Sequence, residues 1–325
     1  MDQWYESLHS EGLLSDASYE KIKLHEKAGL FSVHWEIKTL LYIGVLLLTA
    51  GLGILVYKNI DTIGHQFVLL FIALLVLGSF TYCFKYALPF DRAKVKAPNT
   101  AFDYVLLLGT ISFLTFTAYL QYQYQVFGSN YGLATFIPMV LLFLTAYYFD
   151  HLGVLSMAIA NLALWMGVSV TPKELLHNYD FDSEHIIYTY LLLGVLLLVL
   201  AFVSQKFDLK AHFKFSYQHY GLHVSFIALL AGYFHFYNSI FAMFWILGLA
   251  GLALIFYADA YRSRSFYFLL LVILYSYIAL SSLAIRMVTQ VENVGGLYLA
   301  FLYFLGSGAG LIVLLINLNR KLKSE

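Results

Sequence analysis

Ten long stretches of this chain contain no Asp, Glu, Lys or Arg, and no other feature limits its fold so severely. They run roughly over 39–57, 66–84, 104–122, 132–149, 152–170, 186–204, 220–236, 240–257, 266–284 and 296–316. A helix rises about 1.5 Å per residue, so roughly 20 apolar residues cross the hydrocarbon of a bilayer. Of the 325 residues, 61% are hydrophobic and 12% charged, against about 25% charged in a soluble domain. The Leu-, Phe- and Tyr-rich runs lack the period-two alternation of an outer-membrane barrel. The expected fold is an all-α integral membrane protein of about ten transmembrane helices. Residues 1–36 read as a cytoplasmic helical hairpin, 37–316 as the bundle and 317–325 as a basic tail.

Lysine and arginine set the expected orientation. With the N-terminus inside, the inner segments hold Lys21, Lys23, Lys27 and Lys38, then Lys85, Arg92, Lys94 and Lys96. They also hold Lys206, Lys210, Lys214, Arg262, Arg264, Arg320, Lys321 and Lys323, sixteen of the nineteen in all. Only Lys58, Lys173 and Arg286 remain outside. The positive-inside rule therefore predicts that both termini are cytoplasmic.

The opening "MDQWYESLHSEGLLSDASYEKIKLHEKAG" is polar and of mixed charge, unlike a signal peptide. It predicts short helices near 2–10 and 16–28, the second capped by Ser15 or Asp16. Zero net charge argues against a nucleic-acid partner. The lone cysteine, Cys83, leaves no internal disulfide and reads as a small buried hydrophobe.

Trp4, the turn Gly12-Leu13-Leu14-Ser15, a first span containing Gly44 and Gly51, and the ending Asn59-Ile60-Asp61 form a pattern. It resembles the bacterial predicted membrane proteins grouped as domain of unknown function number 2157, in which Trp is common at the position of Ile60. The Gln- and Tyr-rich "LQYQYQVFG" after span three is similar to that family as well. The resemblance covers about the first half of the chain. It implies a bacterial inner-membrane location and supplies no activity, cofactor or catalytic residue. Two echoes, "GVLLL" at 44–48 and 194–198 and "FIALL" at 71–75 and 226–230, would fit an inverted five-plus-five repeat. Chance matching of Leu-rich spans is the better explanation of them.

Chemistry within the runs is sparse. With no Asp, Glu, Lys or Arg in any apolar core, and only Pro138 of the four prolines inside a span, ion-coupled transport is disfavoured. At 100° per residue, Thr110, Thr117, Gln121 and Gln125 form one polar stripe, with Gln123 almost opposite. The stripe predicts either interhelical hydrogen bonds, worth about 0.6–2 kcal/mol each, or the lining of an outward-facing cavity. Asn161, one turn from Trp165, has the same two uses. Lys58, Asn59, Asp61, Arg286 and Glu292 could complete an outer polar site.

Asp61 also suits a helix N-cap. It invites comparison with membrane glycosyltransferases that use an acidic first outer loop, although "KNIDTIG" is shorter than theirs. Asp103 fits a capping box. His212, His219 and His223 share a face if the chain is helical there. With no further ligand in the motif, the sequence predicts interfacial snorkelling and no metal site. "DFDSE" lacks the glycine of a calcium loop. Gly306 and Gly310 form a GxxxG pair expected to pack against another span.

Two functions follow. One is passive binding or movement, without ion coupling, of a small polar or amphipathic molecule, lipid-linked molecules included, at the outer face. The other is a non-transporting accessory subunit that docks a protein partner through residues 1–36. Beyond the lipid bilayer the sequence names no partner, cofactor, oligomeric state or catalytic residue.

Overall fold

A computed structural model of the chain describes residues 8–16, 18–21, 34–128, 131–170, 184–289 and 294–324. No strand occurs among them. The long helices are α1 His34–Ile63, α2 His65–Tyr86, α3 Thr100–Tyr124, α4 Tyr131–Phe149 and α5 Leu152–Val170. They continue with α6 Glu184–Lys206, α7 Lys214–His235, α8 Ala242–Arg262, α9 Phe266–Thr289 and α10 Val294–Ser324. A 3-10 turn, Ala211–Phe213, leads into α7. The chain divides into two compact units, Met1–Val68 and Leu69–Glu325.

In the first unit the Gly-Leu-Leu-Ser segment ends a helical turn. Gly12 takes φ +70, its N–H donates to His9 O, and Leu13 N–H donates to Leu8 O. This is the glycine-terminated helix end that a left-handed residue permits. His9 then stacks on Tyr19 and meets the Asp16 carboxylate at 2.8 Å. α1 follows, with large apolar side chains such as Leu40 and Leu47 exposed.

In the second unit, helices adjacent in sequence pack as antiparallel neighbours: α4 on α5, α6 on α7, α8 on α9 and α9 on α10. Two apolar cores result. One joins Cys83, Leu106, Leu142, Leu155 and Leu193 to Phe213 and Tyr217. The other joins Leu222, Phe226 and Tyr233 of α7 to Trp245 and Leu269. α7 thus serves both cores as their common wall. Small residues let it approach so closely: a Cβ at Gly194 of α6 would lie 2.3 Å from Ser225 Oγ, and one at Gly232 would lie 2.3 Å from the Trp245 ring.

Nine helices among the described residues are long and apolar enough to cross a membrane, and α7 is not one of them. Its start, "KFSYQH", is too polar. Yet α7 runs antiparallel to α6 along its whole length. Leu198 meets Gly221 and Gly194 meets Ser225, while Glu184 at the α6 start faces His235 at the α7 end. α7 therefore traverses the same thickness as α6, with its polar groups shielded by neighbouring helices rather than by its own composition. The outer faces of the bundle expose Leu192, Phe202, Leu254 and Ile255. Each such side chain would cost about 1.5–3 kcal/mol against burial in water, a penalty that a bilayer removes.

Candidate functional site

The end of the second unit that carries the Lys- and Arg-rich loops, here the basic end, is closed by a buried charge knot. α4 stops at Phe149 because Asp150 takes the left-handed conformation (φ 55), a position usually given to glycine. The carboxylate gives a reason for the exception. Its Oδ2 accepts from Val95 N–H at 2.5 Å and from Lys210 Nζ at 2.9 Å, and its Oδ1 meets His212 Nε2 at 2.5 Å. Lys210 also donates from Nζ to Ala93 O and from its backbone N–H to Arg92 O, and its ammonium sits 5.0 Å from the Phe90 ring centroid. The Lys210 and Asp150 side chains are 0% and 1% exposed. Three loops distant in sequence are thereby tied together. Beside the knot, His151 Nδ1 accepts from Val154 N–H at the α5 start. Burial lowers the His151 pKa, against the opposing pull of Asp103 and Asp150.

On α7, His219 and His223 face α9. His219 Nδ1 bonds Tyr267 Oη and His223 Nδ1 bonds Tyr275 Oη. Gln218 donates to Asp259 of α8 at 3.1 Å.

The opposite end opens sideways. A groove of about 610 Å³ between α7, α9 and α10 is lined by Phe234, Tyr237, Tyr277, Ile278, Ser281, Ser282, Ile285 and Phe304. Arg286 follows Ile285 directly and lies 4.4 Å over the Tyr237 ring. A second groove, about 450 Å³, flanks α10 on its α8 side and shares Tyr277. Between the two, α10 is fastened to α9 by Tyr277–Ser307 at 2.9 Å and Ser281–Tyr303 at 3.1 Å. Both volumes fall within the roughly 300–1,000 Å³ of ligand sites.

Among the described residues, those singled out from the sequence do not converge on one place. Thr110 is fully buried and bonds Leu106 O, while Thr117 bonds Phe113 O and Leu114 O, so both hydroxyls are satisfied within α3. Gln121 is buried; its amide donates to Gly128 O and accepts from Phe127 N–H, closing the turn after α3. The helical phase that would align Gln125 with Gln121 ends at Tyr124, because Gln125 takes φ 46 as the C-cap. Gln125 and Gln123 are both exposed.

α3 packs on α4 and α5, whereas Arg286 belongs to α9. Asn161 is half-buried in α5, its Oδ1 lacking a hydrogen-bond partner. The side chains of Asn59 and Asp61, and all of Glu292, lie outside the described residues. No atom stands within 4 Å of a Cβ built on Gly306 or Gly310, so no other helix of the second unit uses the GxxxG pair for close approach. His212 does not join His219 and His223; the 3-10 turn carries it to Asp150 instead.

Sequence reasoning missed Asp150, Lys210 and the hydroxyls of the groove. A charge placed in the two-residue gap between spans four and five was one available signal. Closely spaced hydroxyls in "YSYIALSS" were another.

No curated protein matches this chain, and no solved structure does. One family model, described as predicted membrane protein (DUF2157), matches residues 6–155. That stretch reaches from the N-terminal turn to the first residues of α5 and includes Asp150, while the groove lies beyond it. Over residues 6–155 this multi-pass membrane protein is thus similar to the DUF2157 family of predicted membrane proteins.

Proposed function

We propose that the chain sits in a bacterial inner membrane with both termini cytoplasmic, and that its outer half binds a lipid-like molecule with an anionic headgroup. One observation carries the reading: a laterally open, mostly apolar groove of about 610 Å³ has a guanidinium at its end. The walls Phe234, Ile278, Ile285 and Phe304 suit a hydrocarbon chain. Arg286, stacked on the groove residue Tyr237, supplies positive charge where a headgroup would lie. The sixteen-to-three division of Lys and Arg supports assigning that end to the outside.

Binding or passive movement, without ion coupling, fits the distribution of carboxylates. Asp103, Glu184 and Asp259 stand in the end turns of their helices and Asp150 in a turn. Among the described residues of the second unit none is at mid-membrane depth, where coupled transporters usually carry one.

The test is photolabelling of the full-length protein in liposomes doped with a diazirine-tailed phosphatidylglycerol or phosphatidylcholine. Label is expected on α9 and α10 peptides containing Ile278, Ile285 or Phe304. Arg286→Gln should reduce phosphatidylglycerol labelling several-fold and spare phosphatidylcholine. Uniform labelling of all lipid-facing helices, unchanged in Arg286→Gln, would refute the reading.

A further inference from the structure

His219 and His223 are one helical turn apart, so both rings project from one face of α7. Their centroids are 4.7 Å apart and their planes are inclined by 75°. Each ring is held from α9 through the same atom: Nδ1 of His219 lies 2.5 Å from Tyr267 Oη, and Nδ1 of His223 lies 2.8 Å from Tyr275 Oη. Tyr275 is itself fixed by stacking on Phe226, with centroids 4.9 Å apart and planes 8° from parallel.

An imidazole whose Nδ1–H donates to an oxygen presents Nε2 with its lone pair free, the arrangement that outer partners impose on metal-binding histidines. Neither Nε2 has a hydrogen-bond or ion-pair partner among the described residues. Both histidines are part-exposed.

The spacing tests whether one ion could serve both rings. An imidazole ligated at about 2.0–2.1 Å has its centroid about 3.2 Å from the metal, so two rings in cis positions stand roughly 4.5–5.3 Å apart. The observed 4.7 Å lies inside that interval. Snorkelling histidines would need neither matched hydroxyl partners nor this separation.

We propose that His219 and His223 form an open site for one late first-row divalent cation, with Zn²⁺ and Cu²⁺ as the fitting class. Tyr267 and Tyr275 act as positioning residues for the two ligands. No third His, Cys, Asp or Glu completes a group among the described residues, so the remaining coordination positions fall to water or an exogenous donor. A two-ligand site exchanges its metal more readily than a closed structural one. Cu²⁺ binds it more tightly than Zn²⁺ by the usual order of divalent affinities. The site lies on the half of α7 nearer the basic end and is independent of the groove reading.

The experiment uses full-length, metal-stripped protein without a polyhistidine tag, titrated with Zn²⁺ against a chromophoric chelator in detergent. Wild type should hold one equivalent that His219→Ala and His223→Ala each abolish, while His9→Ala and His235→Ala retain it. Tyr275→Phe keeps the aromatic stack and should weaken binding about 10–100-fold, which decides the matter if an alanine variant folds poorly. X-ray absorption of the one-equivalent complex should show two imidazole nitrogens. Retention of the equivalent in His223→Ala, unchanged affinity in Tyr275→Phe, or an all-oxygen shell would overturn the proposal.

Discussion

Replacing Lys210 with Met keeps most of the length and the unbranched apolar character of the side chain and deletes its charge. The Asp150 carboxylate, 1% exposed, would retain Val95 N–H and His212 and lose the ammonium at 2.9 Å. Ala93 O would lose its donor as well. Removing one member of a buried ion pair costs about 3–5 kcal/mol, because the other charge stays desolvated. The backbone adds nothing to that cost, since Met and Lys bear the same strain at φ 50. Cys83 provides the assay: it is the only cysteine and is fully buried, so a thiol-reactive fluorophore reports unfolding on a heating ramp. At roughly 2–4 °C per kcal/mol, the midpoint should fall by about 6–20 °C. Lys206→Met, at an exposed position, is the control and should move it little. Adding Asp150→Asn to Lys210→Met should cost less than the two single changes summed, since the stranded charge is gone. A Lys210→Met midpoint equal to that of Lys206→Met would refute the account of the knot.

Gly232→Ala should destabilise by about 1–3 kcal/mol, because the new methyl meets the Trp245 ring at 2.3 Å; Gly306→Ala, with open space around it, should be silent in the same melt. Gln121→Leu strands Gly128 O and Phe127 N–H and should cost about 1–3 kcal/mol, whereas the exposed Gln123→Leu should leave the midpoint unchanged. His151 is held neutral by burial, so its folded pKa lies below the ordinary value of 6.5. The unfolded chain takes up the proton first, and stability should fall as pH drops below about 6.5; melts at pH 7 and pH 5 should show a smaller loss for His151→Gln than for wild type.

The ten apolar runs correspond in order to α1 through α10, since bilayer thickness imposes a length that composition reveals directly. α7 shows where that legibility ends. Four of its first six residues, Lys214, Ser216, Gln218 and His219, are polar, and their shelter comes from neighbouring helices, which a hydropathy pattern does not contain. Gln125 was misphased because a left-handed cap residue breaks the 100° progression and nothing in "QYQYQ" marks the break. The Asp150–Lys210 pair joins positions 60 residues apart, a distance at which periodicity carries no information. The grooves are gaps left where α10 leans on α9, a property of packing geometry rather than of any motif.

Native mass spectrometry of the detergent-purified full-length protein tests occupancy of the groove most directly. Wild type should retain one acidic amphipathic molecule through delipidating detergent exchange. Ser282→Trp, which fills the groove and spares both hydroxyl pairs between α9 and α10, should lose it, as should Arg286→Gln. Equal retention by all three proteins, or retention of neutral lipid alone, would contradict the assignment.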